Sequence, residues 1–246
     1  KESRTSCETC TYYIYDEELT AQYNEQLETA ISELIANAPV DGSDYDKVRY
    51  VFDTLIINTD YVMNCRDNQN VLSVFLFHQS VCNGYAKATQ LLLNRLGVES
   101  VVVNGSADGE SHAWNLVKAD GAWYYLDTTW GDSDFKDSRY QDANPVNYDY
   151  FMVDSATLNQ THVAQNPVAL PECVAKDCNY YIHENLYISG LDPEQLQSVF
   201  DRGYESGEQT VRFKCANDAV YNDIFRYLVD EQHAFDYLDA EDSITY

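Results

Sequence analysis

The stretch His112-Ala113-Trp114-Asn115-Leu116-Val117-Lys118-Ala119-Asp120-Gly121-Ala122-Trp123-Tyr124-Tyr125-Leu126-Asp127 reads as a β-hairpin. Two strands, His112 to Lys118 and Trp123 to Asp127, flank Asp120-Gly121, the dipeptide that suits a two-residue turn with positive φ. Such a turn pairs Ala119 with Ala122. Trp114 then lies opposite Asp127, and Asp127 is diagonal to His112 on the same face. A slip of one residue would send the imidazole and the carboxylate to opposite faces.

Upstream, Ser80-Val81-Cys82-Asn83-Gly84-Tyr85-Ala86-Lys87 opens a helix. Tyr85, Ala88, Thr89, Leu92 and Leu96 share one face, and Gly97 supplies the stop. A thiolate at a helix start meets unpaired N–H groups and the positive end of the helix dipole. An imidazole can take and return its proton, and a carboxylate can hold the imidazole tautomer. Singly, each residue has a plainer reading: a small packed Cys82, a satisfied His112, a strand-end Asp127. Their order, joined by the hairpin register, favours a cysteine-nucleophile site. His78 lies close enough in sequence to approach it; His162, His183 and His233 fall in loops or in the C-terminal region.

Earlier in the chain, Leu19 to Ala38 and Asp44 to Ile57 have helical periodicity, Val71 to Phe77 is ambiguous, and Val98 to Val103 reads as a buried strand. Residues 131–150 read as a long loop. Beyond the Pro167 to Pro171 segment the pattern is strand (Tyr180–Ile188), helix (Pro193–Tyr204), strand (Gln209–Cys215), helix (Asn217–Glu231) and strand (Ala234–Leu238). This divides the chain into 1–170, a core with N-terminal helices, and 171–246, a small acidic α/β domain. The second part has 16 acidic and 5 basic residues, net −11.

The whole chain of 246 residues carries a formal charge of −26. That excludes nucleic acid as the expected partner, because phosphate is met with Lys and Arg. No apolar run reaches the roughly 20 residues of a membrane span. The charge would attract basic polypeptides, but solubility in the outside medium is the simpler account. Of seven cysteines, Cys82 as a free nucleophile leaves six for three disulfides. Cys7 with Cys10 and Cys173 with Cys178 are the local pairs, leaving Cys65 with Cys215. These cysteines, the acidity and a first residue other than Met suggest an extracellular or cell-surface protein. No cofactor motif is present. Asp132 and Asp134 do not extend into a calcium loop, and zinc ranks below disulfides because Cys7-Glu8-Thr9-Cys10 lacks a second closely spaced pair and Cys173 and Cys178 have only His183 beyond them, so neither metal nor cofactor is expected.

The blocks Cys82-Asn83-Gly84-Tyr85-Ala86-Lys87-Ala88, His112-Ala113-Trp114-Asn115-Leu116-Val117 and Trp123-Tyr124-Tyr125-Leu126-Asp127-Thr128-Thr129-Trp130 resemble the transglutaminase-like superfamily, of bacterial secreted type. The resemblance implies a papain-like α+β core, helices packed on an antiparallel sheet. It implies Cys82 as nucleophile, His112 as base and Asp127 as its orienter. Animal transglutaminases carry a Trp upstream of the Cys; here Trp114, Trp123 and Trp130 all lie downstream, which tilts the reading towards hydrolysis. The Cys82 N–H and the Gln79 side chain are candidate oxyanion donors, Gln79 being equally readable as a solvated loop residue. Trp114 and Trp130 are candidates to line the cleft, although aromatic core suits them too. The expected activity is protease or acyl transfer on amide bonds of a protein or peptide. The alternative is a non-catalytic extracellular binding module on the same fold.

Overall fold

Asp120 and Gly121 adopt φ of 50° and 83°, the two left-handed residues that the hairpin turn requires. The computed structural model describes residues 15–132, 146–166, 168–207 and 210–238. The Cys7–Cys10 pair, Asp134 and most of the 131–150 loop lie outside the described residues.

Helix α1 spans Glu17–Ala36 and α2 spans Asp44–Ile57. Ser43 and Asp46 start α2 with a reciprocal capping box, and Asp16 caps α1. Next come β1 (Asp60–Tyr61), α3 (Val71–Phe75), β2 (Gln79–Ser80) and α4 (Cys82–Arg95). The ambiguous Val71 to Phe77 run is thus a short helix, capped by the Asn70 side chain. β3 (Glu99–Ala107), β4 (Glu110–Ala119) and β5 (Ala122–Leu126) follow, then α5 (Thr128–Gly131), α6 (Ser155–Leu158) and β6 (His162–Ala164). Among the described strands, the main sheet runs β5-β4-β3-β6, every pairing antiparallel, and β1 and β2 form a separate parallel pair.

Strand alternation gives this sheet two apolar faces. Val117, Ala119, Tyr124 and Leu126 meet Val48, Val51, Phe52 and Leu55 of α2 and Leu92 and Leu93 of α4. Val103, Trp114, Leu116 and Tyr125 pack on Val153, Leu158 and Cys173. Each fully buried Val, Leu or Phe among them contributes about 1.5–3 kcal/mol. The fold is therefore α+β, with helices on an antiparallel sheet. Among the described residues, no helix is long and apolar enough to cross a membrane.

The C-terminal region departs from the sequence pattern. Residues expected to start a strand form a helical turn, α7 (Tyr180–His183). Tyr180 stacks on Tyr148 and His183 on Tyr45, each with centroids 3.6 Å apart. Two stacks three residues apart fit one helix face and override the strand-like pattern. β7 (Tyr187–Ile188) and β8 (Lys214–Cys215) pair in parallel, joined by α8 (Pro193–Ser206). α9 (Asp218–Phe225) runs into a π-helical turn at Arg226–Asp230. The expected last strand is a 3₁₀ turn at His233–Asp236. Ile188, Leu196, Val220, Ile224 and Leu228 form a cluster of their own, while Cys178, Tyr180, Leu186 and Val199 join the helix-side core.

Cys65, Cys82, Cys173, Cys178 and Cys215 are all free thiols. The expected bonds Cys173–Cys178 and Cys65–Cys215 are therefore not formed. Cys173 and Cys178 are buried in different clusters, and the Cys178 thiol donates to Asp120 Oδ2 at 3.6 Å.

Candidate active site

The local sequence explains how α4 presents Cys82. Val81 sits at the cap position with an extended backbone and no side-chain cap; Gly84 N–H donates to the Val81 carbonyl at 2.9 Å, which leaves the Cys82 and Asn83 amides to face the cleft. Gly84 lets the first turn approach Ser73 and Ser80, whose hydroxyls bond each other at 2.7 Å. A Cβ at Gly84 would lie 1.9 Å from Ser80 Oγ. Two buried bonds fix α4 to β4 and to α5. Asn115 Nδ2 donates to the Ala86 carbonyl at 2.9 Å, and Thr89 and Thr128 hydroxyls meet at 2.9 Å.

The register places the other two residues. Ala119 pairs with Ala122 and Asn115 with Leu126, so Asp127 follows the last pair on the face that carries His112 and Trp114. Asp127 is fully buried and caps α5, its Oδ1 accepting the Trp130 N–H at 3.1 Å. Its Oδ2 lies 2.7 Å from His112 Nε2. Burial pushes the Asp127 pKa up, but the charge and hydrogen bonds of His112, with those of His162, outweigh it and hold it down at about 2. A carboxylate only accepts, so His112 Nε2 carries the proton. Burial alone would lower the His112 pKa; the Asp127 charge and hydrogen bond, aided by Cys82, raise it to about 10. Cys82 faces the same imidazole across the cleft and helps to raise its pKa, and with Nε2 committed to Asp127, Nδ1 is the nitrogen left to it.

Cys82 and His112 line one cleft of about 390 Å³. Its described walls carry amides and a hydroxyl, from Asn68, Gln69, Asn83, Asn104, Ser111 and Gln165, and no charged side chain besides His112. Asn83 Nδ2 donates to Gln69 Oε1 at 2.9 Å, fastening the 62–70 segment to the helix start. Tyr61, not singled out from sequence, also lines this cleft. Burial first, then the negative charges of Cys82 and Asp127, push its pKa up to about 12, so it remains a hydroxyl at neutral pH.

The other candidate residues sit elsewhere. Gln79 is exposed, pairs with Asp60 across β1 and β2, and does not line the cleft. Trp114 is fully buried; its ring lies 6.0 Å from that of His112, and the Trp130 ring lies 5.9 Å from it. Both Trp rings pack against the imidazole and neither lines the cleft. His78 bonds the Asn58 carbonyl through Nδ1 at 3.1 Å and borders a separate cavity of about 230 Å³ beside Leu34, Leu55 and Phe75.

His162 is the main correction to the sequence reading. It is not a loop residue but the first residue of β6, 1% exposed, with Nε2 3.0 Å from Asp127 Oδ2. The only sequence signal for it was the short Thr161-His162-Val163-Ala164 run. The ligand-capable atoms of His112, Asp127 and His162 lie within 4.8 Å of one another. Both imidazoles already donate to the one oxygen, so a cation there would displace two protons and consume the His112–Asp127 bond. The geometry is that of a hydrogen-bonded carboxylate hub.

Comparisons with known proteins agree with the three-block resemblance. Residues 33–128 match the family model of the transglutaminase-like superfamily, a range that holds Cys82, His112 and Asp127. The chain is 26% identical to kyphoscoliosis peptidase of Mus musculus over 157 residues, 57% of this chain and 23% of that protein. The Homo sapiens protein of the same name is 25% identical over 170 residues, 62% of this chain and 25% of that one. The chain thus spans about a quarter of the length of these curated relatives. A solved structure of a TGase covers 47% of this chain and 34% of its own, at 21% identity and a TM-score of 0.38.

Proposed function

We propose that this chain, with its transglutaminase-like core, is a cysteine-nucleophile enzyme that acts on amide bonds of proteins or peptides through an acyl-enzyme. One observation carries the reading. Cys82, at an uncapped helix start, shares a cleft with His112, whose Nε2 is held 2.7 Å from the buried Asp127.

His112 already holds the Cys82 proton at Nδ1 as an imidazolium, and the thiolate attacks the amide carbonyl. The tetrahedral oxyanion is met by the Cys82 and Asn83 amides at the start of α4; one well-placed donor is worth about 3 kcal/mol. The C–N bond breaks as His112 returns the proton to the leaving amine, leaving a Cys82 thioester. Water, or an amine, then attacks with His112 as base and frees Cys82. The amide-rich cleft wall matches a substrate read through its backbone amides. In the described walls no carboxylate recruits a basic side chain, so any preference for basic chains arises from the long-range field of the −26 charge. With the described cysteines unpaired, an extracellular location rests on that acidity alone.

The test is a peptide library incubated with the protein, with and without an added amine, and analysed by mass spectrometry. Cleaved or amine-adducted peptides that vanish in Cys82→Ala support the enzyme. A library unchanged by the wild type at all pH values between 5 and 9 leaves the binding module instead.

A further inference from the structure

We infer that His162 is a positioning residue for the site, a second imidazole that donates to the same Asp127 oxygen as His112 and so fixes and tempers the carboxylate on which the base depends. The inference rests on the proposed role of Cys82 and extends it beyond the three residues already assigned.

The arrangement is built rather than incidental. His162 Nε2 lies 3.0 Å from Asp127 Oδ2, and His112 Nε2 lies 2.7 Å from that atom. Because the carboxylate is ionised, both Nε2 atoms must carry hydrogen. With the Trp130 N–H on Oδ1, Asp127 accepts three N–H groups and has no room to rotate. Behind His162 the chain continues outward. Its Nδ1 is 2.8 Å from Thr161 Oγ1, which is 3.0 Å from Tyr150 OH. Trp130, Trp114 and Tyr150 surround the ring at 4.7, 4.9 and 5.2 Å. The titratable groups facing His162 among the described residues are Asp127 beyond β5, His112 on β4 and Tyr150; Asp108 acts on the outer end, at Tyr150. β6 reaches this position because Gly105 leaves space: a Cβ there would lie 2.1 Å from the Val163 carbonyl.

Two consequences follow. The shared Oδ2 directs the His112 Nε2–H away from Cys82 and leaves Nδ1 as the working nitrogen. A second donor also takes part of the carboxylate charge, so His112 is held less basic than Asp127 alone would make it.

The experiment uses the full chain with ¹⁵N-labelled histidine, following the His112 ring by NMR as pH rises and Cys82 alkylation by iodoacetamide at pH 7. His162→Phe keeps a ring but no donor. It should raise the His112 midpoint by about half to one pH unit, the worth of one hydrogen bond. It should also slow Cys82 alkylation about 3- to 10-fold through lost orientation. His162→Gln, whose side-chain amide can replace the Nε2–H, should recover most of both effects. A role in packing alone predicts an unmoved midpoint and no rescue by Gln, and either result overturns the inference. If His162→Phe does not fold, the wild-type ¹⁵N shifts decide: both histidines should show a protonated Nε2, and an unprotonated Nε2 at His162 overturns it. Slow wild-type alkylation with these His112 shifts intact would instead remove the enzyme reading and leave the hydrogen-bonded hub.

Discussion

Residues 79–132 and residues 187–238 are held together in different ways. In the first region each functional side chain is fixed by bonds from separate elements: α4 to β4 through Asn115, α4 to α5 through Thr89 and Thr128, and Asp127 to two histidines and the Trp130 N–H. In the second, two strands of two residues each carry an apolar cluster around Ile188, Leu196 and Ile224. Tyr221, Phe225 and Phe235 stay exposed there. Generic burial suffices for a stable layer. Holding three side chains in one geometry takes directional bonds and leaves little slack.

The comparison breaks most visibly at Asp127. Asp127→Ala strands two buried imidazole N–H groups, and urea unfolding should show a loss of about 3–5 kcal/mol. The same pair gives a pH signature. His112 is raised from 6.5 to about 10, so its contribution is complete below pH 6.5 and is lost as pH climbs towards 10. Asp127 is lowered from 3.8 to about 2, so its contribution is complete above pH 3.8 and is lost as pH falls towards 2. The stability gap between wild type and His112→Ala should therefore be widest between these limits and should narrow outside them. A gap independent of pH would remove the ion pair from the account.

Leu196→Ala should cost about 2–4 kcal/mol in the C-terminal cluster. We propose that 171–246 behaves as a separate unit, in which case this substitution leaves Cys82 alkylation unchanged. Loss of Cys82 reactivity in step with unfolding would merge the two regions. The stack of Tyr180 on Tyr148, with His183 on Tyr45 and Glu184 paired to Arg49 of α2 at 3.0 Å, sets where such a boundary can fall.

Gly84→Ala should cost about 1–3 kcal/mol by forcing a methyl onto Ser80 Oγ and should slow Cys82 labelling as α4 shifts. Adding Ser80→Ala should recover part of both, leaving Ser73 Oγ at 3.0 Å as the residual contact. A fully additive pair of losses would contradict the close approach. At the small end, Phe225→Ser on the exposed face of α9 should change stability by under about 0.5 kcal/mol in the same urea assay.

What could be read from sequence follows the same division. The Asp120-Gly121 turn admits one register, and that register carries Asp127 to the His112 face. α2 and α4 were legible because their apolar stripes span three or more turns. His162 was not, because β6 is three residues long and a buried imidazole looks like a surface residue until its partner is known. Tyr61 was missed for a similar reason: β1 has two residues, and its place at the cleft depends on pairing with β2, nineteen positions away in register. Near Tyr180, aromatic stacking across the chain decided the local structure, and no short-range pattern contains it. The cysteine count suggested disulfides, but the burial of Cys173 and Cys178 in separate clusters is set by tertiary packing.

The most direct test is site-resolved alkylation of Cys82 by iodoacetamide at pH 7, in wild type and His112→Ala, with a small free thiol as the reference. Wild-type Cys82 should label faster than the reference thiol, and His112→Ala should remove most of that advantage. Labelling no faster than the reference thiol and unchanged by His112→Ala would contradict Cys82 as the nucleophile.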